Sequence, residues 1–516
     1  VNAAADSQGV AARYEQRNNA KRNRLVLGGA VITAAAVAVG GFFVAQQLRA
    51  AAPAATELNV GLLLEPTNLN IRETSGVALE QILLDNVYQG LITLKSGRID
   101  EFEPALAEQL PTVSDDGLTY RFKLRKGVTF HNRATLDLTD VVTSLNATLA
   151  PLPELNNPVI TADESSGEVV IELQQPNQLL LWRLAGKHGV ILDSSATNDL
   201  NSTANGTGPY TLTGWQQGNA ISLAAYPDYW GDPANVAAVN FKFLPDGRAA
   251  VNAIKTGVVD VHTALLPSLR GELINEPGVR LERAASTDVF TLAFNSAKAP
   301  FNDQEVRRAL SQAIDTSALI DAQAGDGRAL GSPITEIEPG YSDLVAVNSH
   351  DLEAAKAVIA AKGLTGTKVR ITAPNFYDQA PLDILASQLR AAGLDAEVDR
   401  VEFSVWLERV YTNHDYDLSY VNHAEARDLA NYTNPDYYFG YNSAAVQRLY
   451  QEAVTAPTAV ESGKLLTAVA EQIAVDAPAK WLYNYTPTLV LSEKIEQFPL
   501  SNTNSRINLE SVVVTQ

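Results

Sequence analysis

Apolar and polar residues alternate along this chain with two different periods, and the switches between them mark its elements. At Leu58 to Leu64, and again at Leu118-Thr119-Tyr120-Arg121-Phe122-Lys123-Leu124, the sequence reads as half-buried strand. Ser114-Asp115-Asp116-Gly117 precedes the second run and Lys126-Gly127 follows it, so 101–145 predicts a β-meander. A helix opens near Asp137, with Leu138, Val141, Val142 and Leu145 behind it. Leu79, Ile82, Leu83, Val87 and Leu91 stand at helical spacing and predict a helix over Ala78 to Leu91, ending near Gly90. Further strands are expected at Ile221-Ser222-Leu223, at Val239 to Phe243, and through Val258, Val259 and Val261; a helix is expected between Arg248 and Lys255. Asn302, with Glu305 three residues on, has capping-box spacing ahead of Val306, Ala309, Leu310 and Ala313. Val369 to Thr372, a helix from Leu382 to Ala392 stopped by Gly393, and Asp395 to Val401 make a βαβ unit, which implies a right-handed crossover and parallel pairing. From Glu57 onward the chain is therefore of the α/β class.

One stretch breaks both periods. Leu25 to Ala45 is 21 residues without a charge, enough at 1.5 Å per residue to cross roughly 30 Å of hydrocarbon. Lys21, Arg22 and Arg24 lie before it and Arg49 after, which places residues 1–24 in the cytoplasm and everything beyond about Ala50 outside. A cleaved signal peptide, processed at Ala50-Ala51-Ala52, is the alternative; the length of the run and its long polar head favour an uncleaved anchor over 25–48. Residues 49–56 then form a small-residue linker.

At 516 residues the chain needs more than one core. The first fifty residues carry six basic and two acidic side chains, so of the formal −20 overall the remainder holds −24. Such a body does not suit nucleic acid, whose phosphates need clustered Lys and Arg. The absence of cysteine removes disulfides, zinc–thiolate sites and thiol nucleophiles. No GxSxG elbow or Walker loop occurs. Gly206-Thr207-Gly208 superficially suggests phosphate binding, but Pro209-Tyr210 and a strand follow it where a helix N-terminus is needed. Asp115-Asp116 sits in a solvated turn. The expectation is a protein that is not an enzyme, without a cofactor or a metal site of its own.

Several short motifs point to one lineage. The block 101–145, Val87-Tyr88-Gln89-Gly90-Leu91, Gly206-Thr207-Gly208-Pro209-Tyr210, Tyr229-Trp230-Gly231, Gly257-Val258-Val259-Asp260, Asn295 to Asp315 and Asp476-Ala477-Pro478 occur in one order and spacing. Together they resemble the peptide/nickel family of extracytoplasmic solute-binding proteins that serve ABC importers. The resemblance implies a two-lobed periplasmic-binding-protein-like fold with a hinge and a β-rich subdomain inserted in lobe one, here preceded by one transmembrane helix. Lobe one would comprise 57–92, 188–285 and 483–516, the insert 93–187 and lobe two 286–482, with hinge crossings near Ala285 to Asp288 and Tyr483 to Thr486. It also implies a short-peptide ligand, permease and ATPase partners, and an extracytoplasmic location. Members in single-membrane bacteria are typically lipoproteins; lacking a cysteine, this chain would be tethered by its helix or secreted after cleavage. Asn132-Arg133 replaces the family's Asp-Gly after Phe130-His131, and Asn70-Ile71 its Asp-Pro.

The densest polar and aromatic stretch follows the strand-like Tyr416 to Val421, at the strand end where α/β folds bind ligands. It contains His423, Glu425, Arg427, Asp428, Tyr432, Tyr437 and Tyr438. In peptide-binding members a carboxylate of the comparable loop pairs with the ligand's α-ammonium. The resemblance gives that role to Asp428, although it stands farther from Pro435 than in the familiar binders. Arg427 would meet a carboxylate and the tyrosines would clamp apolar side chains; an Arg427–Asp428 ion pair and plain tyrosine packing are the competing readings. Ser75 and Gly76, with Thr74, would supply backbone from lobe one. His423 raises a nickel-chelate alternative, against an ordinary hydrogen-bonding role. A sensor or envelope protein that kept the binding fold without transport is a further alternative.

Overall fold

The first strand, Glu57–Leu62, buries Leu58, Val60 and Leu62 and pairs in parallel with Ala238–Phe243 on one side and Val261–Leu265 on the other. It is the centre of a seven-stranded mixed sheet in the order Val279–Arg283, Thr488–Ser492, Val261–Leu265, Glu57–Leu62, Ala238–Phe243, Ala220–Ala225, Tyr210–Gln216. This computed structural model describes residues 56–515 apart from 75–76 and 502–504. The expected cytoplasmic segment, the membrane span at 25–45 and the candidate site residues Ser75 and Gly76 lie outside the described residues. Among the described residues no helix is long and apolar enough to cross a membrane.

A second sheet of six strands runs Gly327–Ala329, Ala479–Tyr485, Val289–Phe294, Leu418–His423, Lys368–Pro374, Asp395–Val401. Val289–Phe294 is buried at all six positions because helices and loops cover both faces. Its period of two sends Phe290, Leu292 and Phe294 into one core and Val289 and Ala293 into another, which holds Trp406, Tyr438 and Trp481. The expected βαβ unit is present, with helix Gln379–Ala391 between parallel strands Lys368–Pro374 and Asp395–Val401. The two sheets make the two lobes of an α/β periplasmic-binding-protein fold. The chain crosses between them twice, from Arg283 to Val289 and from Tyr485 to Thr488.

A third core surrounds a four-stranded antiparallel sheet ordered Thr112–Val113, Thr119–Lys123, Glu168–Glu172, Val159–Asp163. The first hairpin forms, but no meander does. The second neighbour of Thr119–Lys123 comes from beyond the helix Leu138–Leu149, with Phe122 opposite Val169 and Tyr120 opposite Ile171. Val128 and Phe130, beyond the Lys126-Gly127 turn, plug this core without joining the sheet. The helix itself begins as expected: Asp137 accepts from Thr139 and Asp140 amides, and Asp140 reciprocates.

Two other expectations are corrected. The apolar run from Leu79 to Leu91 is buried throughout, yet only Glu80–Leu83 is helical. Asp85 turns left-handed at φ 64° and its amide bonds Tyr88 O, so burial without a helix produced the spacing. The cap of helix Gln304–Ala313 is Asp303, not Asn302; its carboxylate accepts from the Glu305 amide at 2.9 Å.

The lineage motifs meet in one structural node. Gln89 accepts from Trp230 Nε1 (3.0 Å) and from the Thr207 hydroxyl (3.1 Å) and donates to the Tyr229 hydroxyl (3.0 Å). Gly206 N donates to His131 Nδ1 (3.3 Å) while His131 Nε2 lies 3.0 Å from Gly208 O. This holds the imidazole neutral, and burial lowers its pKa to about 4 despite the Gly208 contact. Burial likewise lowers His188 and His262 to about 4.

These shifts have a defined sign. Unfolded, each histidine titrates near its ordinary value of roughly 6.5; between there and about 4 the unfolded chain takes protons that the native state refuses. Stability should therefore fall on acidification across that window, by at most about 1.4 kcal/mol per pH unit for each histidine. Urea unfolding of the full-length chain between pH 7.5 and 4.5 measures the slope, and His262→Gln should flatten it. An unchanged slope in that variant would contradict the neutral assignment of His262.

Candidate functional site

Strand Leu418–His423 delivers its C-terminal end to the side where the two lobes meet, and the loop beyond it carries most of the expected residues. The strand ends in a chain of internal bonds. His423 Nδ1 stands 3.0 Å from Asp428 Oδ2, and its Nε2 stands 2.8 Å from the Tyr438 hydroxyl. Asp428 Oδ1 accepts from Asn431 Nδ2 at 2.6 Å. Burial works against protonation of His423, but the adjacent Asp428 carboxylate outweighs it and raises the pKa. Both imidazole nitrogens are engaged, so His423 offers no nitrogen to a chelated metal. Among the described residues no group of three or more His, Asp or Glu is arranged to hold a metal ion.

Two of the three expected tyrosines belong to the core. Tyr432 and Tyr438 are each 1% exposed; the Tyr432 hydroxyl accepts from Trp481 Nε1 at 2.8 Å. Tyr437 is half-buried and meets Tyr411 edge-to-face at 5.7 Å. Tyr411, unforeseen in the sequence, is 40% exposed on the helical turn Leu407–Thr412. Nothing in its local pattern sets it apart from a surface tyrosine.

Glu425 differs from its neighbours. It remains exposed, and among the described residues it has no hydrogen bond or ion pair. Desolvation by the enclosing walls and the charge of Glu80 raise its pKa, against the pull of Lys187. Glu80 and Lys187 come from the other side of the cleft: Lys187 Nζ is 3.0 Å from Glu80 Oε1 and donates to Thr74 O at 3.4 Å. Lys187 and Glu425 both act on Tyr411, whose pKa burial raises. The site thus sets Thr74, Glu80 and Lys187 against Glu425, Tyr411 and Tyr437. Glu80 and Lys187 were missed because the sequence marks each only as an ordinary surface charge.

Arg427 faces elsewhere. It adopts a left-handed backbone, φ 62°, and its amide donates to Glu338 Oε1 at 2.6 Å. It makes no ion pair with Asp428; its guanidinium lies over the Trp182 ring, 5.0 Å from the centroid.

Comparison with known proteins bears on this arrangement. The family model described as bacterial extracellular solute-binding proteins, family 5 Middle, matches residues 101–447. Protein XP55 of Streptomyces lividans is 32% identical over 276 residues, 51% of this chain and 50% of that protein, so the chain spans about half the length of this relative. The probable di/tripeptide-binding protein 5 of Pseudomonas aeruginosa is 26% identical over 442 residues, covering 77% of this chain and 82% of that protein. Among solved structures, the dipeptide binding protein of Pseudoalteromonas sp. SM9913 in complex with Met-Leu superposes with a TM-score of 0.80 at 20% identity, covering 89% of this chain and all of the other. At that identity the likeness speaks for the fold.

Proposed function

Because the chain belongs to the bacterial extracellular solute-binding proteins of family 5, we propose that it captures short peptides between its lobes and hands them to an ABC permease. The observation that carries this reading is Glu425, a carboxylate open to the cleft and without a partner. A peptide's α-ammonium would pair with it and supply the counter-charge that its surroundings lack, since desolvation and Glu80 disfavour the bare carboxylate. Asp428, first choice on the resemblance, is spent on Asn431 and His423 and serves to hold the loop. Tyr411 and Tyr437 offer apolar faces to side chains, and on the opposite wall Lys187 balances Glu80. The two crossings at Arg283–Val289 and Tyr485–Thr488 act as the hinge, and solute bound to both walls favours the closed form. The apolar span at 25–45 tethers this body outside the membrane.

Calorimetry of the full-length chain with pooled di- to pentapeptides tests the proposal. Free-amine peptides should bind and their N-acetylated forms should not. Glu425→Gln should raise Kd about 10- to 100-fold, the loss of one charge-assisted bond. Binding of no peptide sinks the function; unchanged affinity in Glu425→Gln sinks the ammonium site alone.

A further inference from the structure

Two contacts join the second lobe to the rest of the fold through helix ends, and both are made by protein groups alone. The first comes from Gln178, in the subdomain of the four-stranded sheet. Asn177 fixes this turn, accepting from the Leu179 amide at 2.8 Å and donating to Glu154 O at 2.6 Å. The Gln178 amide then donates to Val454 O and its Nε2 to Ala456 O, both at 2.8 Å. Val454 ends the second-lobe helix Ala444–Val454, and Pro457 keeps that helix from continuing. A carbonyl at that place has no amide of its own helix to accept from, so Gln178 caps the helix from outside its lobe.

The second contact lies between the first lobe's helical turn Pro267–Glu272 and the second lobe's helix Gln379–Ala391. Asp378 stands at the N-cap of that helix, yet its side chain makes no cap bond. An N-cap carboxylate ordinarily accepts from the second or third amide of its helix; here the third residue is Pro381, which has none. The carboxylate reaches across instead: Oδ1 accepts from the Ser268 hydroxyl at 2.6 Å and Oδ2 from the Ser268 amide at 3.2 Å. Ser268 is exposed and Gln178 half-buried, so water can take the place of either when the contact parts. Bonds exchanged for water each contribute modestly, which holds the lobes together and still lets them separate.

We propose that these two contacts are latches that keep the solute-free chain predominantly closed, with opening a transient excursion. The inference rests on the reading of the two interlobe crossings as a hinge, and it requires no particular ligand. Closure then draws on bonds that are the same for every solute, and little of a solute's binding free energy goes into bringing the lobes together.

Because the chain has no cysteine, Thr161→Cys and Ala445→Cys, both at exposed positions, give a single spin-label pair. One label sits on the four-stranded sheet and the other on the helix Ala444–Val454. Pulsed electron paramagnetic resonance on the full-length chain without ligand should show mainly one short distance. Gln178→Ala deletes one bond and should lower the closed-to-open ratio about 2- to 10-fold; Ser268→Ala, whose partner is charged, should lower it about 10- to 100-fold. The double variant should multiply the two losses and populate longer distances. If the variants open the ligand-free chain while pooled di- to pentapeptides fail to bind, the latches stand and the peptide reading falls. A ligand-free wild type that is mainly open, or a double variant with the wild-type distances, overturns the inference. In the first of these cases, closing on addition of the pooled peptides would leave the hinge reading intact.

Discussion

Asp326→Ala should lower the unfolding free energy by about 3 kcal/mol, among the largest losses available from one side chain. Asp326 sits one residue before the edge strand Gly327–Ala329 of the second lobe, yet its fully buried carboxylate is held by the first lobe. Arg270 Nη2 pairs with Oδ2, Arg283 Nη2 lies 2.7 Å from Oδ1, and the Thr488 hydroxyl donates to Oδ2 at 3.0 Å. Arg270 also reaches Ala324 O at 3.3 Å. Truncation leaves two guanidinium groups facing an empty space. The cost should fall at the lower end of the range for broken buried pairs, since the Arg283 side chain is 54% exposed and can turn to water. The contacts lie beside the Tyr485–Thr488 crossing, so the variant should also loosen the hinge and weaken ligand affinity. Urea denaturation of the full-length chain measures the first effect. A loss below about 1 kcal/mol would mean that the carboxylate does not tie the lobes together.

Gly206→Ala should cost about 3 kcal/mol as well, for a steric reason. A Cβ at Gly206 would stand 1.8 Å from Val87 O and 2.7 Å from Val87 C. That neighbour cannot yield cheaply, because it is backbone held by several bonds: Gly208 N to Val87 O (3.0 Å), Tyr210 N to Asn86 O (2.9 Å) and His131 N to Gly206 O (2.9 Å). Separating the segments would pull Thr207 from Gln89 and disturb the node where the lineage motifs meet. Gly214 is the control: a Cβ there meets nothing within 4 Å, and Gly214→Ala should stay within roughly 0.5 kcal/mol. Comparable thermal midpoints for the two variants would refute the argument. The Gly-Thr-Gly pattern is thus required by the close packing of two backbones, not by any phosphate.

The division between sequence and tertiary structure follows the range of the interactions. Hydrophobic period, caps and turn residues act over a few positions, and they sufficed for the α/β class, the βαβ unit at 368–401, the Asp137 cap and the two-lobed family fold. Where a local signal had two physical causes, the sequence left the choice open. Leu79 to Leu91 is apolar at helical spacing because it is buried, and Asp85 breaks the helix all the same. The loop after His423 was legible as a polar site, but not the division of labour within it. Which carboxylate is spent and which stays open depends on Asn431, His423 and the cleft wall, contacts that exist only after folding. Glu80, Lys187, Tyr411 and Trp182 come from distant segments and carry no mark of their own. Only the closing of two lobes and a subdomain around one loop brings them to Glu425 and Arg427, and a charge or a ring acquires a role there because of what surrounds it.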